Sequence, residues 1–284
     1  MQPFVYIRPD ALSEVFVALE LEGPRAVLLA GGTDLLVALR NRTIRPSCVI
    51  DLKRVTELRP LIGDVERDTR ISATTVLTDI TDHQNVRDRF PALVDAATTV
   101  GSAQIRNRAT LTGNICHASP AADTAPALLV YGAMVNLASA RGDRRVSLND
   151  FFVGPRKTAL QPGELVTSID LPMPAGPRAA TFARITRRRG VDLATVSLCC
   201  MVEATGRTQF AFGAVGPRPF LVADESGLLS DPKVGDAAKD EVLRRMLTRA
   251  SPISDVRGSR EYREAMLLVI SRRALHASIE RLAA

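Results

Sequence analysis

Two stretches decide how this chain is read: Leu28-Leu29-Ala30-Gly31-Gly32-Thr33-Asp34-Leu35, and residues 100–123, VGSAQIRNRATLTGNICHASPAAD. The first contains the end of AVLLA (26–30), a short apolar run that reads as a buried strand, and leads into TDLLVALRNR, a helix expected to begin near Thr33. Paired glycines let a backbone approach a ligand closely, and the free amides of the following helix N-terminus face outward. Together these suit a diphosphate, although the same pattern also makes a plain tight turn. The second stretch has few charges, many small residues and no sustained period, which predicts a long irregular loop of the kind that binds ligands. In it Gly101, Thr112-Gly113-Asn114 and Ser119-Pro120 alternate backbone freedom with hydroxyl and amide donors. Asp123 is its lone carboxylate. It is suited to accept hydrogen bonds from sugar hydroxyls or, equally, to cap a helix that begins near Pro126.

Around these stretches the chain alternates strands and helices. ALSEVFVALE after Asp10, a plausible N-cap, has helical spacing and is stopped by Gly23-Pro24; CVIDL (48–52) completes a small β-turn-α-β unit. RISATTV (70–76) alternates as a strand, a helix runs through Thr78 to Thr81, and PALVDAATTV (91–100) is helical after Pro91. PALLVYGA (126–133) reads as a helix ended by Gly132, VNLASA and RRVSL as a hairpin around Arg141-Gly142-Asp143, and ELVTSIDLP (164–172) as a strand. MPAGP (173–177) is the best boundary. Beyond it ATFARIT, LATVSLCCMVEA and TQFAFGAV predict three antiparallel strands, and two amphipathic helices close the chain.

The chain has 284 residues, 46% of them hydrophobic, enough for a sizeable core in one large or two ordinary domains. No run approaches the roughly 20 apolar residues of a membrane span, and MQPFVYIRPD lacks the layout of a signal peptide, so a cytoplasmic location is expected. A net charge of +6 raises the possibility of nucleic acid, but with 4% aromatic residues and no Trp there is little for bases to stack on. The four cysteines, Cys48, Cys116, Cys199 and Cys200, show no Cys-x-x-Cys spacing, and His83, His117 and His276 fit no ligand pattern. Neither a disulfide nor a bound metal is expected. The cluster Arg187-Arg188-Arg189, near Arg184, reads as a solvated strand end or as an anion or partner site.

LLAGGTDLL (28–36) and VGSAQIRNRATLTGNICHASPAAD, followed by FFVGPRKTAL (151–160) and PISDVRGSREYR (252–263), closely resemble the FAD-binding medium subunit of the molybdenum hydroxylases. That family includes bacterial xanthine dehydrogenases and the aerobic carbon monoxide dehydrogenase flavoprotein, and the likeness covers essentially the whole chain. It implies an α+β fold: a two-part PCMH-type FAD-binding domain over residues 1–175, with subdomains of about 1–55 and 56–175, then a C-terminal domain over 176–284. With the strands read above, the latter is a three-stranded antiparallel sheet with helices.

The resemblance also implies which residues meet FAD. Leu29, Ala30, Gly31, Gly32, Thr33, Asp34 and Leu35, with Thr110, Thr112, Gly113 and Asn114, match the positions that hold the diphosphate. Val100 and Gly101 match the flavin-ring region, Ala109 and His117 further loop contacts, Asp123 an acidic FAD ligand, and Val166 an aliphatic neighbour of the isoalloxazine. Arg184 stands where relatives often have Lys. Thr112 replaces the first glycine of the family's Gly-Gly-Asn, which requires that its backbone not need a positive φ. The family holds FAD non-covalently, so His117 is expected to carry no flavin bond. No inserted cysteine-bearing loop for an extra cluster is present.

The implied role is electron transfer. A small subunit with iron–sulfur clusters and a large molybdopterin subunit, assembled as a dimer of heterotrimers, would deliver electrons that this subunit passes through FAD to an external acceptor. A stand-alone flavin oxidoreductase is the alternative, and it would need an acid or base over the flavin that the sequence does not nominate.

Overall fold

The computed structural model describes residues 2–284. Strand β1 (Val5–Ile7), helix α1 (Leu12–Glu22), β2 (Ala26–Leu29), α2 (Leu35–Arg40) and β3 (Cys48–Asp51) build the first lobe, a parallel sheet in the order β1-β3-β2. The central strand β3 is buried along its whole length, which accounts for the apolar start of its sequence, CVID. Strand β1 was not expected, although its short apolar run is legible. Helix α1 is capped one residue later than expected: Ala11 occupies the N-cap position, and the Asp10 carboxylate instead reaches the Arg54 side chain at 2.8 Å. Helix α2 starts at Leu35 rather than Thr33, because Thr33 and Asp34 complete the glycine turn.

The second lobe opens with the hairpin β4 (Ile62–Val65) and β5 (Asp68–Ser72). Helices α3 (Leu77–Asp82), α4 (Gln84–Arg89), α5 (Pro91–Thr98), α6 (Ala103–Arg106), α7 (Leu111–Cys116) and α8 (Thr124–Val130) follow. Next come the hairpin β6 (Met134–Ser139) and β7 (Gly142–Ser147), α9 (Leu148–Phe151), the small hairpin β8 (Phe152–Gly154) and β9 (Lys157–Thr158), and β10 (Leu165–Pro172). The sheet is antiparallel throughout, in the order β4-β5-β10-β6-β7. Residues 101–123, expected to be irregular, thus contain two short helices. Each is started by a side chain that the sequence supplies: Ser102 accepts from the Ile105 amide and Thr110 from the Gly113 amide.

The third part is an antiparallel sheet, β11 (Arg178–Ile185), β12 (Val196–Glu203), β13 (Thr208–Gly213) and β14 (Phe220–Asp224), followed by α10 (Asp236–Leu247) and α11 (Arg260–Ala283). It has four strands, not the expected three. The fourth is a short edge strand that begins directly after Pro219, a residue that ordinarily argues against a strand and is tolerated at an edge.

Both faces of this sheet are covered. Ala180, Cys199, Met201 and Ala211 join the core around α5 and α8, while Leu198, Cys200, Phe210 and Phe212 join the core beneath α10 and α11. This explains why VSLCCMV is buried without alternation. All seven residues of α8 are buried between the two sheets, and each large aliphatic side chain so placed contributes roughly 1.5–3 kcal/mol. The apolar stripe of α11, with Leu267, Ile270, Ala274 and Leu275, packs inside on the sheet and is not a free surface.

The motif PISDVRGSREYR pins this third part together. Arg263 at the start of α11 is fully buried and donates to the Thr195 carbonyl (2.7 Å), the Ala214 carbonyl (2.8 Å) and Asp255 Oδ1 (2.6 Å). Replacing Asp255 by Asn leaves that guanidinium buried without its counter-charge, a loss of about 3 kcal/mol or more in unfolding free energy. Arg257 and Arg263 hold the Asp255 carboxyl below the usual carboxylate range, so its contribution is present above about pH 4 and fades as pH falls below it. Urea unfolding of Asp255→Asn against wild type at pH 7 and pH 3 should show a difference that shrinks at pH 3; equal stability at pH 7 would refute the assignment.

Candidate cofactor-binding site

The two glycine-containing stretches meet. A Cβ at Gly31 would stand 2.1 Å from the Arg108 carbonyl oxygen and 2.9 Å from Ala109 Cα, so the turn after β2 touches the backbone leading into α7 with no room for a side chain. Gly32 serves a different need, a left-handed φ of +77°, and a Cβ there would also press on Leu29 Cδ1 at 2.7 Å. The Leu36 amide closes the turn on the Gly32 carbonyl (3.0 Å), the first bond of α2 runs from the Ala38 amide to the Asp34 carbonyl (3.0 Å), and that of α7 from the Asn114 amide to the Thr110 carbonyl (3.0 Å). The other amides at each helix start have no carbonyl within their helices to receive them. Two such helix starts therefore flank the contact at Gly31.

The turn is braced from below. Asp51, at the end of β3 and paired in register with Leu29, accepts from the Lys53 amide (3.0 Å), the Lys53 ammonium (2.7 Å) and the Tyr6 hydroxyl. Burial raises its pKa, but these partners outweigh burial and the net shift is downward. The same ammonium reaches the Ala30 carbonyl at 3.5 Å. None of Tyr6, Asp51, Lys53 or Arg108 figured in the reading of the sequence; Asp51 ends a strand that runs parallel to the glycine strand, and that is the signal that could have found it.

On α7, Thr110, Gly113, Asn114 and His117 follow i, i+3, i+4, i+7 spacing and share one face. Gly113 is exposed, and Asn114 and His117 are half-buried. Thr112 lies inside the helix with right-handed backbone, so its replacement of a glycine costs nothing in φ; its side chain turns inward and its hydroxyl finds no partner. Val100 and Ala109 pack on the second-lobe core, and Gly101 takes a φ of +56° against Ile105. Val166 is buried in that core beside a bulge in β10 and presents no open surface.

Asp123 does not cap α8 with its side chain. Its Oδ2 meets Arg184 at 2.8 Å, across 61 residues of sequence, while its Oδ1 is buried with no partner. Burial pushes the Asp123 carboxyl up to about 6, although Arg184 and the nearby Thr99 hydroxyl act to lower it. The loop that carries Asp123 rests on the third part: the Pro120 carbonyl accepts from the Ala214 amide at 2.7 Å.

Converging helix starts, a close backbone approach and a buried carboxylate with a spare oxygen define a site for a large phosphate-bearing, hydroxyl-rich ligand. Residues 2–174 match the family model described as FAD binding domain in molybdopterin dehydrogenase, and residues 181–278 that of the CO dehydrogenase flavoprotein C-terminal domain. The chain belongs to the family of FAD-binding medium subunits of the molybdenum hydroxylases.

It is 31% identical to the glyceraldehyde dehydrogenase medium chain of Sulfolobus acidocaldarius, over 95% of this chain and 96% of that one. It is 30% identical to the carbon monoxide dehydrogenase medium chain of Hydrogenophaga pseudoflava, over 99% and 98%. Among solved structures, a chain of the Cu,Mo-CO dehydrogenase in its cyanide-inactivated form superposes with a TM-score of 0.91 at 26% identity, covering 99% of this chain and 100% of that one. Quinoline 2-oxidoreductase from Pseudomonas putida 86 gives 0.88 at 29%, covering 100% and 99%.

Gly31→Ala should remove FAD binding, because its methyl group would have to displace the Arg108 carbonyl. The expected result is a purified chain without visible flavin absorbance and with an FAD Kd raised about a hundredfold or more, set by the loss of several amide–phosphate bonds. Full flavin occupancy in a correctly folded Gly31→Ala chain would overturn the placement of the diphosphate.

Proposed function

We propose that this chain carries electrons from an iron–sulfur subunit to an external acceptor through one non-covalently held FAD, inside a complex whose large subunit holds molybdopterin. The observation that carries this reading is the meeting of Gly31 with Arg108 and Ala109, which brings two helix starts to one place. Bound FAD would supply the exchange between one-electron and two-electron carriers. The residues of this chain bind and orient it.

The amides of Gly32, Thr33, Asp34 and Leu35, with those of Leu111 and Thr112, would donate to the diphosphate, and the turn Leu29 to Gly31 sets their direction. The α7 face of Thr110, Gly113, Asn114 and His117 would help to hold the cofactor, Val100, Gly101 and Ala109 would line its ring region, and Val166 would support that region from the core. Asp123 would accept from hydroxyls through its free oxygen while Arg184 would keep a cation near the flavin. His117 carries no covalent bond.

The four cysteines are free thiols, Cys116 is pushed up to about 12 by burial, and no group of three or more His, Cys, Asp or Glu among the described residues could hold a metal. Electrons are therefore assigned to a partner's clusters. The relatives named as medium chains of dehydrogenases support assembly with small and large subunits, and we assign the assembly to a dimer of heterotrimers. No helix among the described residues is long and apolar enough to cross a membrane, and we place the complex in the cytoplasm. A domain division at 175/176 is supported by the turn at MPAGP, where the second sheet ends and the third begins.

Asp123 gives this reading a pH signature. Ligand hydroxyls donate to the ionised carboxylate, so binding lowers its pKa from about 6 and releases a proton; FAD affinity should fall as pH drops through 6. In the apo chain the sign is opposite: with its folded pKa raised, this group's stabilisation is complete below the unfolded value and is lost as pH rises through about 6. Fluorescence titration of FAD, and urea unfolding of the apo chain, should show these opposed trends relative to Asp123→Asn. Acid precipitation should leave the yellow colour in solution. An FAD affinity with the same pH profile in both proteins, or flavin held in the pellet, would count against the reading.

A further inference from the structure

Beside the edge strand β14 the third part has a cleft that takes no part in the cofactor site. It encloses about 340 Å3 between β14 and α10, within the size range of small-molecule sites, and Val222, Val242 and Met246 give it an apolar lining. In the register of β13 and β14, Thr208 pairs with Asp224 and Phe210 with Val222, and the latter two belong to the core beneath α10 and α11. Thr208 and Asp224 therefore face α10 as well. Arg184 lies on the opposite face: it pairs with Ser197 and Ser197 with Gly213, out of phase with Leu198 and Phe212 of that core. Three strand spacings, roughly 14 Å, also separate β14 from the strand that carries Arg184.

The two ends of the cleft are opposite in charge. At one end the Asp224 carboxylate is buried, yet among the described residues it accepts only from Ser226, whose hydroxyl stands 2.8 Å and 2.9 Å from its two oxygens and whose amide is at 3.4 Å. The Thr208 hydroxyl, across the strand pair from it, is fully buried with no partner. A buried carboxylate without a cation, next to an orphan hydroxyl, is hydrogen-bonding capacity that the fold itself does not use. At the other end Arg249 is fixed in place: its Nη1 donates to the Leu221 carbonyl at 3.2 Å and its guanidinium lies 5.7 Å from the centre of the Phe220 ring. Its other N–H groups are thereby oriented and unclaimed. Arg245 stands one turn earlier on the wall of the same cleft. Arg244 is paired with Asp240 at 3.8 Å, whereas neither Arg245 nor Arg249 meets a carboxylate within 4.0 Å among the described residues. The end of α10 favours basic residues in general, but it does not require two of them to line one cleft.

This arrangement selects among ligands. The carboxylate end and the carbonyl held by Arg249 are three residues apart, about 10 Å along the strand. A free amino acid, whose ammonium and carboxylate share one carbon, cannot reach both. A dicarboxylate would set a negative group against Asp224, and a fatty acid has nothing to donate to it. A nucleoside monophosphate meets every requirement: phosphate oxygens for two guanidinium groups, a flat body for the apolar lining, and amine or hydroxyl donors at the far end. We infer that the cleft between β14 and α10 is a second, non-redox site that takes a nucleoside monophosphate, with Arg245 and Arg249 on the phosphate and Asp224 on the nucleoside.

The test is calorimetric titration of the full chain, already saturated with FAD, by AMP, adenosine and inorganic phosphate. AMP should bind saturably with a submillimolar Kd, and adenosine and phosphate each at least about tenfold more weakly, since each lacks the contacts at one end. Arg245→Ala should weaken AMP by about tenfold, the loss of a charge-assisted contact, and leave adenosine unaffected. Asp224→Asn should weaken AMP and adenosine but not phosphate. The Arg245 side chain is exposed and pairs with no carboxylate, so its variant keeps the fold even if Asp224→Asn does not.

No saturable AMP binding to the FAD-loaded wild type would overturn the inference, and so would equal AMP affinity in wild type and Arg245→Ala. Phosphate bound as tightly as AMP would reduce the cleft to a simple anion site and refute the nucleoside assignment. AMP binding seen only before FAD is added would place the nucleotide in the cofactor site instead, with the same consequence.

Discussion

The site depends on a place where two backbones touch. Gly31 has no unusual φ; what it needs is room, because the Arg108 carbonyl occupies the position that any Cβ would take. Its neighbour Gly32 has the converse requirement, a left-handed backbone that sends the chain from β2 into α2. The pair therefore answers two physical demands with one residue type. The first fixes the separation of the two lobes, and the second the direction of the amides that face the gap. Asp51 and Lys53 hold the same turn from the β3 side, so its position is determined on both flanks.

The third part holds the other wall. Its sheet is covered on both faces, and through the Ala214 amide and Arg184 it reaches the loop that carries Asp123. Ala214 itself has a positive φ of 63°, an unfavourable state for a residue with a Cβ, and its carbonyl is gripped by Arg263. The motif at 252–263, which makes no contact with Asp123 in its own right, thereby steadies the platform on which Asp123 sits.

Local chemistry was readable and distant convergence was not. The glycine turn, the caps at Gly23 and Gly132, the hairpin near Arg141 and the long terminal helices follow from residue types a few positions apart, and they stand within three residues of expectation. Strands β1, β4 and β14 were missed because each is short and β14 follows a proline; their pairing comes from neighbours distant in sequence. Helices α6 and α7 were hidden among small polar residues whose helical propensity is modest, and they exist because Ser102 and Thr110 start them and the core receives Leu111 and Ile115. Of the site, sequence named the stretches that meet but not the contact itself, since nothing local marks Arg108, and it could not tell that Thr112 and Val166 turn inward. The approach of Arg184 to Asp123 joins two residues singled out separately, and no spacing rule would have linked them.

Two buried aspartates separate structure from function within this site. Asp51 has a hydroxyl, an ammonium and an amide on its two oxygens, and its pKa falls in spite of burial. Asp123 is as well hidden, has one arginine on one oxygen and nothing on the other, and its pKa rises. A satisfied carboxylate stabilises its surroundings and has nothing left to offer a ligand. An unsatisfied one costs folding free energy, on the order of 1–3 kcal/mol for a buried polar atom without a partner. Such an orphan needs an explanation, and at Asp123 the one we propose is a donor that arrives with the ligand. By this contrast Asp51 belongs to the brace under the glycine turn, and Asp123 is the carboxylate we propose for the cofactor.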